Sequence, residues 1–438
     1  VTKESVSAFI FIQPSERWLD FLLRRADNFS GIYAVFDGPA PRNLIGTLSE
    51  LNAKVFELSN SEAGRKKVNS LSIIIRSIKT GHSRISVISE TDRLLPLVAE
   101  ACEANEVKFT SLASILSARD KAITRANLPD FSNFPWFKFS TFERVKDLAV
   151  VSRRIGYPCV VKPSSATGSI LAYPLYGEED AKWMIDHCHS ISYLQDERAG
   201  WMLGSGWICE TLIDAPIITV FVVADAAGIR AVALARNARQ DINLCVGFGS
   251  VLPVEISASM VSLLEFAENA CRGLGLDLGF FDVEIFLTNA GPILIEVNAR
   301  PPGGEMLRAL DASTSEDLFW EILRIYGGEK SNLRRDSFYG CMSVYKIMAA
   351  EAVCLRKSVC SVIQKLFSEF DILFYVEQEC CQILELEPLD LIARIVSPTD
   401  NPMVTFSDMT RRTELASRDL GFDLILGNLP DLPELYKS

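Results

Sequence analysis

No apolar run in this 438-residue chain is long enough to cross a bilayer; the longest, such as Ile217 to Ala224, have the length of strands. Clusters of lysine and arginine are missing as well, and the formal net charge is −12. Nucleic acid and anionic membrane surfaces are therefore not expected as partners. An anionic small molecule is still admissible, because local basic residues and a metal can invert the field at one site. The eleven cysteines form no CxxC pair, and only Cys380 and Cys381 are adjacent. Reduced, mostly buried thiols in a cytoplasmic protein are the expectation. The chain begins at Val1, which leaves room for a trimmed initiator methionine or leader. No GxGxxG follows the first strand-like run, so a dinucleotide role has no support there. Internal repeats and low-complexity segments are likewise missing.

What is present is ordinary globular composition, 48% hydrophobic and 23% charged, enough to bury a large core in two to four structural units. Residues 1–115 alternate strand-like runs (Ser7–Ile12, Gly31–Phe36, Lys54–Leu58, Arg84–Ile88) with helix-like ones (Trp18–Arg25, Arg93–Asn105). That alternation predicts a Rossmann-like α/β unit with a parallel sheet. A polar helix is expected over Ser114–Leu128 and a linker over Pro129–Pro135. Strands follow at Cys159–Lys162, Trp207–Leu212, Ile217–Ala224 and Arg230–Ala235, then a helix over Ser257–Gly273. Two more strands, Gly279–Leu287 and Pro292–Asn298, precede a helix over Ser315–Tyr326. The remainder mixes strands and helices without a chemical motif.

The stretch FFDVEIFLTNAGPILIEVNARPPGG, Phe280 to Gly304, is the most informative. Its central Thr-Asn-Ala-Gly-Pro turn predicts an antiparallel hairpin. Symmetry about Ala290 sets Glu284 opposite Glu296 and Asp282 opposite Asn298, with Cβ atoms roughly 4.5–5.5 Å apart. Phe281, Val283, Ile285 and Leu287, with Ile293, Ile295 and Val297, fall on the other, apolar face. Opposed buried carboxylates repel, and a hard divalent cation with oxygen ligands relieves them. On this reading, replacing Glu296 by Gln should leave the metal-free protein as stable as before, or more so. A solvated face paired with Lys or Arg is the bland alternative; Arg300 and the PPGG turn just beyond argue for a site.

IEVNARPPGG resembles the ExN-x-R-x-x-GG signature of the ATP-grasp superfamily, and most closely the group containing L-amino acid ligases. ARDKAITRANL resembles that family's DK-x-x-x-R helix, YPCVVKPSSATGS its VVKP strand and phosphate-covering loop, and GWICETLID its hinge strand. These features span about 120 to 304 in the expected order. The resemblance implies an α/β and α+β ATP-grasp fold, with an N-terminal domain (1–115), a linker helix and lid subdomain (116–213), a catalytic subdomain (214–330) and a C-terminal α+β extension (331–438).

It also implies roles. Lys121 and Lys162 would hold ATP phosphates beneath a loop containing Gly168 and Ser169, and Glu210, Thr211 and Ile213 would meet adenine and ribose. Glu284, Glu296 and Asn298 would ligate Mg²⁺, with Mn²⁺ as a substitute. Arg300 would stabilise transferred charge, and Gly303 and Gly304 would bind an oxyanion. Arg236 and Arg239, in the segment Ala235–Pro253, would grip a substrate carboxylate, or else be solvent-facing. The implied activity is amide formation between two amino-acid-like substrates through an acyl-phosphate, releasing ADP and phosphate, with a homodimer as a compatible state. Intramolecular amide formation, carboxylation, and an inactive nucleotide-binding module are the alternatives. The phosphate loop departs from the family pattern in holding one glycine. Of the three histidines, His82 lies in the N-terminal unit, while His187 and His189 read as surface helix residues. No general base for the amine is visible, and Trp201 and Trp207 read as core rather than pocket.

Overall fold

The computed structural model describes residues 7–25, 31–60, 64–127, 134–166, 168–169, 171–187, 202, 204–240, 245, 247–355, 359–375, 384–386 and 391–436. The four expected N-terminal strands are present as β1 (Ser7–Ile12), β2 (Gly31–Asp37), β3 (Lys54–Leu58) and β4 (Arg84–Ser89). They pair in parallel in the order β3-β2-β1-β4. A parallel sheet is covered on both faces, so its inner strand must be apolar throughout; Ala8 to Ile12 are all buried. The expected helices run Glu16–Leu23 and Leu95–Glu103, and two that the sequence reading passed over, Arg42–Glu50 and Arg65–Lys79, complete the cover.

The single helix expected over Ser114–Leu128 is two, Leu112–Arg119 and Lys121–Asn127. Asp120 between them is extended (φ −87, ψ 109). Its Oδ1 accepts from the Ala122 and Ile123 N–H groups at 2.8 and 3.3 Å. A side chain that caps the next helix competes with continuation of the previous one. The break buries both Lys121 and Arg125. Of the expected linker, Pro129–Asn133 lies outside the described residues.

A four-stranded antiparallel sheet follows: β5 (Phe139–Phe142), β6 (Cys159–Pro163), β7 (Tyr173–Leu175) and β8 (Trp207–Thr211), ordered β5-β8-β6-β7. Trp207 is buried there and stacks on Phe142, in core as expected. Trp201 and His189 lie outside the described residues, and His187 ends the helix Glu178–His187.

The rest of the chain builds one large sheet. Its strands are β9 (Ile217–Asp225), β10 (Gly228–Gln240), β11 (Gly247–Leu252), β12 (Gly279–Thr288), β13 (Gly291–Asn298) and β14 (Met342–Met348). After β15 (Val353–Leu355), which pairs separately with β17 (Leu384–Leu386), come β16 (Asp371–Phe374), β18 (Leu391–Pro398) and the short β19 (Gly427–Asn428). The order is β13-β12-β9-β10-β11-β14-β18-β16, with β19 on β10. The boundary expected near residue 330 therefore falls within a continuous sheet, because β14 pairs with β11. One face packs Phe221, Phe280, Val344 and Val396 toward Phe319 and the N-terminal Trp18. The other packs Val220, Val222, Phe281 and Val283 against Leu263, Leu264 and Ala267 of the helix Val261–Gly273.

Candidate functional site

The β12–β13 hairpin sets Asp282 opposite Asn298 and Glu284 opposite Glu296, as the sequence predicts. The turn differs. Thr288 pairs with Gly291, and the register shifts between Glu284 and Ile285, so that Ile285 faces Leu294. A two-residue turn plus one extra residue at Ile295 replaces the symmetric turn about Ala290. A bulge re-aims side chains: Leu294, not Ile293, joins Val283, Ile285 and Leu287 in the apolar core. Ile293 packs instead with Phe286, Ile213 and Phe137. Ile293 and Ile295, expected on the core face, thus line the cleft that also holds the two glutamates.

Lys121 reaches this hairpin. Its Nζ lies 2.9 Å from Glu296 Oε2 and donates to the Ala166 carbonyl at 2.9 Å. The two opposed glutamates consequently differ. Burial, then the charges of Glu296 and Asp282, push the Glu284 carboxyl up to about 8. Glu296 is half-buried; desolvation raises it too, but Lys121 outweighs that and holds it below its ordinary value.

A second buried cluster forms the opposite wall. Lys162, at the end of β6, pairs with Glu210 of β8. Arg125 Nε donates to the other Glu210 oxygen at 3.2 Å, and its NH2 donates to the Ile295 carbonyl at 2.9 Å. Burial alone would raise the Glu210 carboxyl; Arg125 and Lys162 overcome it and bring the value down to about 2. Arg125 was not among the residues the sequence singled out for the site; its place one helical turn after Lys121, in the helix that Asp120 caps, is what brings it here.

Arg300 braces a third cluster. It donates to Asp92 Oδ2 at 3.1 Å, Asp282 Oδ1 at 3.1 Å and Asn298 Oδ1 at 3.3 Å. Asn298 in turn donates to Asp282 Oδ2 at 2.7 Å. Burial pushes Asp282 up to about 6 in spite of Arg300 and Asn298. Asp92, from the loop after β4, carried no sequence signal, because only tertiary packing brings the N-terminal unit against the hairpin.

Between the walls lies an open cleft of about 820 Å³ lined by Lys121, Arg125, Lys162, Ser169, Glu210, Thr211, Ile213, Phe137, Glu284 and Glu296. The Thr211 N–H donates to the Lys138 carbonyl at 2.9 Å, fixing the hinge strand. Ile213, Phe137 and Ile293 supply an apolar slot. Gly168 and Ser169 have φ of +65 and +59, a left-handed turn that costs a serine more than a glycine. Thr167 and Ile170 of the same loop lie outside the described residues.

Two expected substrate residues are placed elsewhere. Arg236 donates to the Pro430 carbonyl at 2.7 Å and lines a separate opening with Glu255 and Asp431. Arg239 is buried, donating to Asp214 Oδ1 at 2.8 Å and to the Ala215 carbonyl at 2.9 Å. Arg236, paired with Ile218, alternates onto the face of β10 away from the hairpin carboxylates, and Arg239 is committed to Asp214 and the Ala215 carbonyl. Gly303 is open on its Cα face, whereas Gly304 (φ +62) lies against Arg394. His82 accepts or donates one bond with the Tyr33 hydroxyl at 2.8 Å, inside the N-terminal unit.

Two carboxylates and an amide are too few to complete a divalent-cation shell, and among the described residues no three His, Cys, Asp or Glu side chains gather as a metal site. The set does fit Mg²⁺, which takes one or two carboxylates and completes its octahedron with water and phosphate oxygens.

Residues 118–304 match the ATP-grasp domain family. The chain is 24% identical over 266 residues to carnosine synthase 1 of Homo sapiens, covering 58% of this chain and 31% of that protein. It is 22% identical over 220 residues to an uncharacterized protein, y4rH, of Sinorhizobium fredii, covering 43% of it. The chain thus spans less than half the length of the curated relatives it matches. Among solved structures, an L-amino acid ligase from Bacillus licheniformis superimposes with a TM-score of 0.69 at 14% identity, covering 96% of this chain and 98% of that one. A carboxyaminoimidazole ribonucleotide synthase of Aspergillus clavatus, complexed with ATP, gives 0.67 at 13% identity, with 94% and 99% covered. The fold is the ATP-grasp fold.

Proposed function

We propose that this chain, which carries an ATP-grasp domain over residues 118–304, is an ADP-forming carboxylate–amine ligase that joins two amino-acid-like substrates. One observation carries the reading: two buried lysines, each already held by a different carboxylate, face one cleft whose floor bears an opposed glutamate pair. Burying charges costs several kcal/mol per ion, which the pairing with Glu296 and Glu210 offsets. The likeness to an L-amino acid ligase over nearly the full length of both chains supports the same direction.

Lys121 and Lys162 bind the phosphates of ATP as point charges, exchanging part of their bond to Glu296 and Glu210 for phosphate oxygens. Ile213, Phe137 and Ile293 enclose the base, and the Thr211–Ile213 backbone fixes its edge. Glu284, Glu296 and Asn298 would hold Mg²⁺, which supplies neutralisation of phosphate charge when bound. A substrate carboxylate oxygen attacks the γ-phosphorus and ADP leaves. The amine then attacks the acyl carbon, phosphate leaves, and the amine loses a proton. Arg300 holds Asp282 and Asn298 in place and keeps a positive charge beside the transferred group. The strands β5–β8 and the loop at Gly168–Ser169 exclude water while the acyl-phosphate exists.

The test is turnover over a panel of amino acids, singly and in pairs, with product mass spectrometry. Phosphate and ADP released in equal amounts with an amide product are expected. Substrate-dependent AMP and pyrophosphate would overturn the acyl-phosphate route, and nucleotide binding without any turnover would leave an inactive module.

A further inference from the structure

A polar stripe crosses one face of the large sheet from the hairpin to the C-terminal strands. Cross-strand partners share a face. Glu284 pairs with Thr219, Thr219 with Ala235, Asn237 with Ser250, Ser250 with Val344, and Lys346 with Arg394. Since Asn237 is two residues from Ala235 and Lys346 two from Val344, all of these lie on the Glu284 side. Hydrogen bonds tie the middle: Asn237 donates to Thr219 Oγ1 at 2.9 Å, and Ser250 donates to Asn237 Oδ1 at 3.3 Å. The stripe has carboxylates at one end, neutral groups between, and two cations at the other.

Those cations are unlike the others near the cleft. Lys121, Lys162, Arg125 and Arg300 all hold carboxylates. Lys346 donates to the Gly247 carbonyl at 2.6 Å, and the Arg394 guanidinium lies 4.9 Å from the centre of the Tyr375 ring. Among the described residues neither has a carboxylate within ion-pairing reach, and Arg394 Nε is buried without a hydrogen-bond acceptor. Two like charges directly opposed in an antiparallel pair repel. Burial, then Arg394, pushes the Lys346 ammonium down to about 8, while the Glu284 charge acts on it in the opposite sense. Arg394 also abuts the turn after the hairpin: a Cβ on Gly304 would stand 2.6 Å from its NH1. Arg394 therefore borders the glycine turn that follows the hairpin.

We propose that Lys346 and Arg394 bind the free α-carboxylate of the amine-bearing substrate, and so select an amino acid over a simple amine. This rests on the ligase reading above. In such a reaction the acyl donor's carboxylate must meet the γ-phosphate at the hairpin end of the stripe. The attacking molecule then needs an anchor for its own carboxylate beyond the neutral Thr219–Asn237–Ser250 segment, and the paired cations stand there. A carboxylate between them satisfies Arg394 Nε and removes the repulsion, as a bidentate or bridging acceptor.

Two measurements test this. In a ligand-observed NMR titration of the MgADP-bound protein, propionate serves as a minimal carboxylate probe. The wild type should bind it, and Arg394→Met and Lys346→Met should each weaken it at least tenfold, with ADP affinity unchanged and melting temperature level or higher; Arg394→Lys should restore part of the binding. In turnover, free amino acids should be preferred over their amides as amine substrates, and Arg394→Met should raise KM for the amino acid and erase that preference while kcat is retained. Propionate binding that is missing in the wild type, or unaffected by both substitutions, overturns the proposal, as does an undiminished preference for free acids in both variants. If propionate binds through Arg394 and Lys346 but no amide forms from any pair, the anion site stands and the ligase reading fails.

Discussion

Glu284 and Glu296 stand directly opposite each other across the β12–β13 hairpin, yet Lys121 bonds only Glu296. The pair is therefore asymmetric, with Glu284 raised to about 8 and Glu296 lowered. Glu284→Gln removes the repelled member and should leave the nucleotide-free melting temperature level or higher. Glu296→Gln strands the buried Lys121 and should cost on the order of 3 kcal/mol. The sequence alone assigns the harmless substitution to Glu296; the Lys121 contact reverses that. Both variants should lose orders of magnitude in turnover at saturating Mg²⁺. Melting curves beside activity decide: an active, destabilised Glu284→Gln protein would remove that residue from the metal site.

Lys162→Ala should weaken ATP binding tenfold or more, since a charge-assisted contact is worth about 1.5–3 kcal/mol. Arg125 remains to hold Glu210, so folding should survive. Calorimetry showing unchanged nucleotide affinity would reduce Lys162 to the end of a strand.

Glu210 carries a pH signature. Its folded value, about 2, lies below the ordinary 4.5. The stability this contributes is fully present above pH 4.5 and lost as pH falls from there toward 2. The difference corresponds to about 3 kcal/mol. Glu210→Gln should therefore be less stable than wild type by roughly that amount at pH 7, with the gap closing in acid. Denaturant midpoints measured between pH 7 and pH 3 check it; a gap independent of pH would show that the carboxylate charge is not what holds Lys162 and Arg125.

Arg300→Met leaves Asp282 and Asp92 facing each other without their shared cation. Loss of about 3–5 kcal/mol is expected. Asp282 already sits at about 6 and would move higher. A carboxyl raised on folding loses stability as pH rises through the interval from its ordinary value to its folded one. The variant should thus be markedly worse at pH 8 than at pH 5. Equal melting-temperature losses at the two pH values would argue for a packing role only.

The sequence by itself determined the local parts: the parallel strands, whose unbroken apolar runs admit only burial on both faces, and the hairpin that sets Glu284 opposite Glu296, although that pairing is reached through a two-residue turn and a bulge instead of a symmetric turn. The order of the motifs around Lys121, Lys162 and Glu210 was legible because each sits in a short, chemically distinctive string. Tertiary structure decided what depends on residues far apart in the chain. The bulge at Ile295 exchanged Leu294 for Ile293 in the core, since a one-residue shift swaps faces and only the packing on each side selects between them. Asp92 reached Arg300 because the N-terminal unit docks on the hairpin. Arg236, whose charge looked available in sequence, is tied to Pro430 by the closing C-terminal segment. Lys346 and Arg394, in a region without any motif, acquired their setting from strand order alone: β14 extends the sheet beyond β11 and brings two separated cations opposite each other on the face that bears the glutamates.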